Sequence, residues 1–138
     1  MSDSECPPIL QQKLVLIIED DPVLLQTMAG WFASAGSRVM TASDGSVGLT
    51  SFEQIRPDLV VTDIIMPERE GVETILAMKS RDRSVPILAI SGGGRLGPGE
   101  FLSLALRLGA DGALAKPFRS KELLTMSGNL LGKAPKAA

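Results

Sequence analysis

Five times along this chain a short apolar run gives way to a stretch with the apolar spacing of a helix. That alternation constrains the fold more than any other feature. The runs cover residues 13–18, 38–42, 59–62, 85–90 and 112–115. The first reads Lys-Leu-Val-Leu-Ile-Ile and the third Leu-Val-Val-Thr, continuous rather than alternating, as in strands buried on both faces. Strands separated by single helices and joined by short connections form a parallel α/β sheet with helices on both faces. The expectation is one doubly wound α/β domain of the flavodoxin-like (βα)5 type, strand order 2-1-3-4-5.

Local punctuation supports the same reading. Pro22 suits the first turn of a helix with Asp21 as its N-cap. Val23, Leu24, Leu25, Met28, Trp31 and Phe32 then mark an apolar helical face, and Ala35-Gly36 ends it. A second helix is expected over 46–55, with Val47, Leu49, Phe52 and Ile55 apolar. A third over about 72–80 turns Val72, Ile75, Leu76 and Met78 inward. Residues 91–99 read as a Gly-rich loop. A helix over 100–108 follows, then a last one from Ser120, as cap, to about Leu131. Residues 1–12, with Pro7-Pro8 opposing regular structure, are expected as a loose leader. The domain then runs over 13–132, and 133–138 form a tail.

At 138 residues the chain is long enough for one domain with a proper core. Its net charge of −2 gives no reason to expect nucleic-acid or anionic-membrane binding. No run approaches the roughly 20 apolar residues of a membrane span. The acidic start lacks the apolar stretch of a signal peptide, and one cysteine, Cys6, forms no internal disulfide. A cytoplasmic setting is therefore expected. The absence of histidine removes histidine metal sites, histidine bases and any phosphohistidine on this chain.

In a parallel sheet all strand C-termini share one edge, where ligands bind. The first strand ends in Glu19 and Asp20, the third in Asp63, the fourth in Ser91 and the fifth in Lys116. Solvated strand-end acids are common. Here, however, the acids fall at adjacent strand ends and a lysine joins them. Clustered carboxylates raise one another's pKa unless a positive charge compensates. A hard cation with oxygen ligands does so, and a site this sparse suits Mg²⁺ keeping several waters better than calcium. Carboxylate, Mg²⁺, lysine and hydroxyl together make a phosphoryl-transfer constellation, with an aspartate as nucleophile.

Taken in order, Leu16-Ile17-Ile18-Glu19-Asp20-Asp21-Pro22, Asp63-Ile64-Ile65-Met66-Pro67 with Gly71, Ser91, Gly109-Ala110-Asp111-Gly112 and Lys116-Pro117-Phe118 resemble the receiver domain of two-component response regulators, over about 13–131. The resemblance implies Asp63 as phosphoacceptor, fed by a sensor histidine kinase or a histidine phosphotransfer protein. It implies Mg²⁺ held by Asp20, by Asp63, by Glu19 through water and by the backbone carbonyl of Ile65. Lys116 would hold the phosphate, Ser91 would hydrogen-bond it, and Lys116-Pro117 would be cis. It further implies a phosphoprotein in a phosphorelay rather than a classical enzyme. With no attached output domain expected, it would act as a stand-alone receiver. Signalling would then run by contact with a downstream protein through the helix 4–strand 5–helix 5 face. One departure concerns the family's switch aromatic, whose position holds Ala113. The other is the Gly-rich 91–99 connection, expected to be mobile and to order on phosphorylation or partner binding.

Three other readings compete. Residues 92–97 match G-x-G-x-x-G, but in the fourth β-α unit rather than the first, which argues against a dinucleotide site. A haloacid-dehalogenase-type phosphatase wants a second acid two residues after the nucleophile, where this chain has Ile65. A pseudo-receiver, an interaction module that is not phosphorylated, is favoured by Ala113 and opposed by the full set of acids, Ser91 and Lys116.

Overall fold

The computed structural model describes residues 7–64, 70–91 and 98–133. The Ile65 carbonyl and residues 92–97 of the Gly-rich connection lie outside them. The elements alternate as expected: β1 Leu14–Ile18, α1 Pro22–Ser34, β2 Arg38–Ala42, α2 Gly45–Ile55, β3 Leu59–Asp63, α3 Glu70–Arg81, β4 Ile87–Ser91, α4 Pro98–Arg107, β5 Gly112–Ala115 and α5 Ser120–Lys133. The five strands form one parallel sheet in the order β2-β1-β3-β4-β5, a flavodoxin-like fold.

Every residue of β3 and β4 is buried, as continuous apolar runs covered on both faces require. Two apolar clusters flank the sheet. Phe52, Ile75, Met78 and Ala105 pack against the face bearing Leu16, Ile18 and Val60. Met28, Phe32, Leu123 and Leu124 cover the face bearing Ile17, Val61 and Leu88. The α1 stripe narrows to Leu25, Met28 and Phe32, with Trp31 half-buried beside it and Val23 exposed. Leu76, expected inward, is half exposed, because Ile75 and Met78 already fill the inner face of α3. Val47 and Ile55 likewise stay largely exposed on α2.

Local chemistry explains most boundaries. The Asp21 carboxylate accepts hydrogen bonds from the Val23 and Leu24 N–H groups, capping α1 as expected. Ala35 follows α1 and Gly36 takes a positive φ of 90°. Ser120 proves to be the first residue of α5 rather than its cap. The Glu122 carboxylate reaches back to the Arg119 N–H at 2.9 Å, supplying half of a capping box. The helix after the Gly-rich connection starts at Pro98, two residues earlier than expected, since proline suits a first helical turn.

The expectation of a loose leader fails over residues 7–12. Pro8–Leu10 form a 3-10 turn, and Leu10 is fully buried beside Phe32 and Leu123. The Ser37 hydroxyl donates to the Leu10 carbonyl at 2.7 Å, and the Gln12 N–H donates to the Gly36 carbonyl at 2.8 Å. Burying one leucine and satisfying the backbone around it outweighs the reluctance of Pro7-Pro8 to enter regular structure.

Asp82, just past α3, organises the turn into β4. It accepts the Ser84 hydroxyl at 2.6 Å and the Ser84 N–H at 2.9 Å, and pairs with Arg56 at 3.0 Å. The hydroxyl and N–H of Ser84 do most to hold its carboxyl below the ordinary 3.8, Arg56 adds to them, and slight burial opposes. A carboxyl with a depressed folded-state pKa contributes stability above its unfolded value, lost as pH falls through the folded one. Asp82→Asn is therefore expected to cost about 1 kcal/mol at neutral pH. The difference should shrink in acid, read from urea midpoints across the acid limb. A constant difference at every pH would remove Asp82 from the acid response.

Candidate functional site

Because the sheet is parallel, the C-terminal ends of β1, β3, β4 and β5 meet at one edge. Glu19 and Asp20 follow β1, Asp63 closes β3, Ser91 closes β4 and Lys116 follows β5. The Glu19 N–H donates to the Ala42 carbonyl at 3.0 Å, and the Lys116 N–H donates to the Ser91 carbonyl at 2.7 Å. Backbone pairing thus carries one step past β1 and β5 and fixes where those side chains start. One carboxylate oxygen from each of Glu19, Asp20 and Asp63 lies within 4.8 Å of the others.

Glu19 and Asp63 are almost wholly buried, at 1% and 3% exposure, while Asp20 faces solvent. The Lys116 ammonium bridges the buried pair. Its Nζ donates to Glu19 Oε1 at 2.8 Å and to Asp63 Oδ2 at 2.7 Å. Glu19 Oε2 also accepts the Asp21 N–H at 3.1 Å. The first turn of α1 is thereby tied to the acid cluster, with Asp21 capping the helix and Glu19 holding Asp21.

Burial shapes the electrostatics first. It alone would depress the Lys116 pKa, but the hydrogen bonds to Asp63 and Glu19 outweigh it and lift the ammonium above its ordinary 10.5. For Glu19 burial wins: it raises the carboxyl above 4.5 against the pull of Lys116 and the Asp21 N–H, and the neighbouring acids add to the rise. Among the described residues one ammonium faces three carboxylates, so their charges leave the crevice short of positive charge. An all-oxygen donor set short of positive charge fits a hard divalent cation such as Mg²⁺ better than a soft metal. The Ser91 hydroxyl, buried at the same edge, has no hydrogen-bond partner among the described residues. A buried hydroxyl left unpaired is costly unless something else supplies its partner.

The structure brings Glu19, Asp20, Asp63 and Lys116 together, with Ser91 beside them, while Ile65 lies outside the described residues. Lys116-Pro117 is cis, as expected. Ala113 sits in β5 opposite Ala89, half-buried against the cluster that includes Ala105, so no ring occupies that position. Sequence reasoning missed the Glu19–Lys116 ion pair. The two residues are 97 positions apart, and only the sheet order makes them neighbours. Thr62 is fully buried beside Asp63, and its hydroxyl donates to the Asp63 carbonyl at 3.2 Å.

Residues 15–127 match the family model described as "Response regulator receiver domain". The chain is 33% identical over 107 residues to the Regulator of RpoS of Escherichia coli K12, a match covering 78% of this chain and 31% of that protein. It is 34% identical over 110 residues to the transcriptional regulatory protein PrrA of Mycobacterium tuberculosis, covering 80% of this chain and 46% of that one. These curated relatives are thus more than twice as long as the segment they share with it. Among solved structures, chemotaxis protein CheY4 of Vibrio cholerae superposes with a TM-score of 0.77 at 27% identity, over 86% of this chain and 98% of that one.

Proposed function

From the premise that this chain belongs to the response regulator receiver family of two-component signalling, we propose that it accepts a phosphoryl group on Asp63 and signals through protein contact. Receiver domains are signalling domains rather than classical enzymes. The donor would be a phosphohistidine on a sensor histidine kinase or a phosphotransfer protein, since this chain holds no histidine of its own. The observation that carries the reading is the Lys116 ammonium clamped between two buried carboxylates at the sheet edge, beside a buried hydroxyl with no partner among the described residues.

The chain's residues divide the work. An Asp63 carboxylate oxygen attacks phosphorus, the donor's N–P bond breaks, and the imidazole leaves with the bonding pair and takes up a proton. Lys116 neutralises charge on the transferring oxygens, and Ser91 Oγ donates a hydrogen bond to one of them. Such transfers depend mainly on in-line positioning and charge neutralisation. Glu19, Asp20 and Asp63, joined by the Ile65 carbonyl, would hold Mg²⁺, which supplies further positive charge to the phosphoryl oxygens. Downstream contact would run through the face formed by α4, β5 and α5; Leu106 of α4 is 48% exposed. Among the described residues no helix is long and apolar enough to cross a membrane.

The test is intact mass after incubation with Mg²⁺ and acetyl phosphate. One labile phosphoryl adduct per chain is expected, absent without Mg²⁺. Borohydride reduction should convert the modified aspartate to homoserine at position 63. A folded protein that binds Mg²⁺ yet takes up no phosphoryl group, and no beryllofluoride mimic, would favour the pseudo-receiver.

A further inference from the structure

Lys116 is held at its ammonium end by Glu19 and Asp63, but phosphorylation changes that end. Once an Asp63 oxygen carries a phosphoryl group, the ammonium exchanges part of its carboxylate contact for phosphoryl oxygens. A lysine has four rotatable side-chain bonds, so its reach then depends on where its backbone is fixed. The turn that carries it runs from Lys116 to Arg119, between β5 and α5. Backbone N–H groups hold its two ends: Lys116 donates to the Ser91 carbonyl at 2.7 Å and Arg119 to the Glu122 carboxylate at 2.9 Å. Its middle is held by a ring. Phe118 meets Trp31 of α1 edge to face, with centroids 6.3 Å apart and planes at 66°. Both rings are half-buried against the cluster of Phe32, Leu123 and Leu124.

Trp31 lies in the second half of α1, away from the site edge where that helix begins. Helical side chains tilt toward the helix N-terminus, and here that direction is the site edge. We infer that Trp31 is a positioning residue for Lys116, acting through its edge contact with Phe118 on the turn that bears the lysine. The inference rests on the phosphoacceptor reading only for its effect on rate. An edge-to-face pair of this kind contributes modestly to stability. Its specific effect is geometric: displacing a charged group by even part of an ångström weakens transition-state stabilisation far more than it weakens the fold.

Trp31→Ala, Trp31→Phe and the wild-type chain would be phosphorylated by acetyl phosphate at saturating Mg²⁺, with rates expressed per folded molecule from circular dichroism. Trp31→Ala is expected to be slower by about 10- to 100-fold, with Trp31→Phe recovering most of the rate because a ring still meets Phe118. Equal rates for all three would overturn the inference. A second readout needs neither metal nor phosphoryl group. Trp31 is the single tryptophan, and among the described residues its ring contact is with Phe118, so its emission reports on that contact. In metal-free protein, Lys116→Met should shift that emission, and the further substitution Phe118→Leu should remove the shift. Emission indifferent to Lys116 would overturn the coupling. Should the wild-type chain take up neither a phosphoryl group nor beryllofluoride, the phosphoacceptor reading fails, and the emission pair still decides the coupling.

Discussion

Asp63→Asn is expected to abolish phosphoryl uptake from acetyl phosphate completely while leaving a folded protein. The amide matches the carboxylate in size, so the nearly closed site at the end of β3 needs no repacking. What it loses is the anionic oxygen that attacks phosphorus and one of the two charge-assisted bonds to Lys116. The fold effect is the balance of two opposing changes. A strong hydrogen bond to Lys116 becomes a weaker one, and a buried negative charge near Glu19 disappears. The net is expected within about 1 kcal/mol, in either direction. Mass spectrometry and urea denaturation on one preparation separate the two quantities. An adduct persisting in Asp63→Asn would point first to Glu19 or Asp20, the other acids of the cluster among the described residues.

Lys116→Met is expected to damage both fold and chemistry. It keeps the length of the side chain and removes its charge. Glu19 and Asp63, with side chains 1% and 4% exposed, would then face each other with no ammonium between them. Removing one partner of a buried ion pair typically costs about 3–5 kcal/mol, because the remaining charge stays desolvated. The lower end applies here, since Lys116 is 20% exposed and solvent reaches the cluster beside it. Added Mg²⁺ should restore part of the lost stability, which a metal-blind defect in packing would not allow. The phosphorylation rate is expected to fall by about 10²–10³-fold, the usual cost of removing one preorganised donor to developing charge. A variant as stable as the wild type and as fast would show that Lys116 is a bystander.

The fold was legible because its signals are local. Continuous apolar runs such as 59–62 need no partner to announce a strand buried on both faces. Asp21-Pro22 and Ala35-Gly36 mark the ends of α1 through capping and φ preferences that act within a few residues. The misreadings arose where tertiary packing outbids local preference. Pro7-Pro8 reads as unstructured, yet Leu10 completes the cluster between α1 and α5. Leu76 reads as inward, yet the inner face of α3 has room for Ile75 and Met78 and leaves it half exposed. Gly48 lies within the helix expected over 46–55, with nothing local to mark its surroundings. In the fold, a Cβ there would fall inside the contact distance of the buried Ile18 side chain, so the close approach of α2 to β1 depends on its absence.

The candidate site divides in the same way. Residue order by itself determined that Glu19, Asp20, Asp63, Ser91 and Lys116 end or follow strands, and parallel pairing puts all such ends on one edge. Only the tertiary structure decided how they are wired. Strands β1, β3, β4 and β5 lie side by side, so Lys116 reaches across to Glu19 and Asp63, Ser91 Oγ is left without a partner among the described residues, and Trp31 meets Phe118. The physical reason is range. Hydrophobic period, capping and turn chemistry are settled within one or two helical turns. An ion pair or ring contact between segments scores of residues apart exists only when the whole sheet has fixed the distance between them.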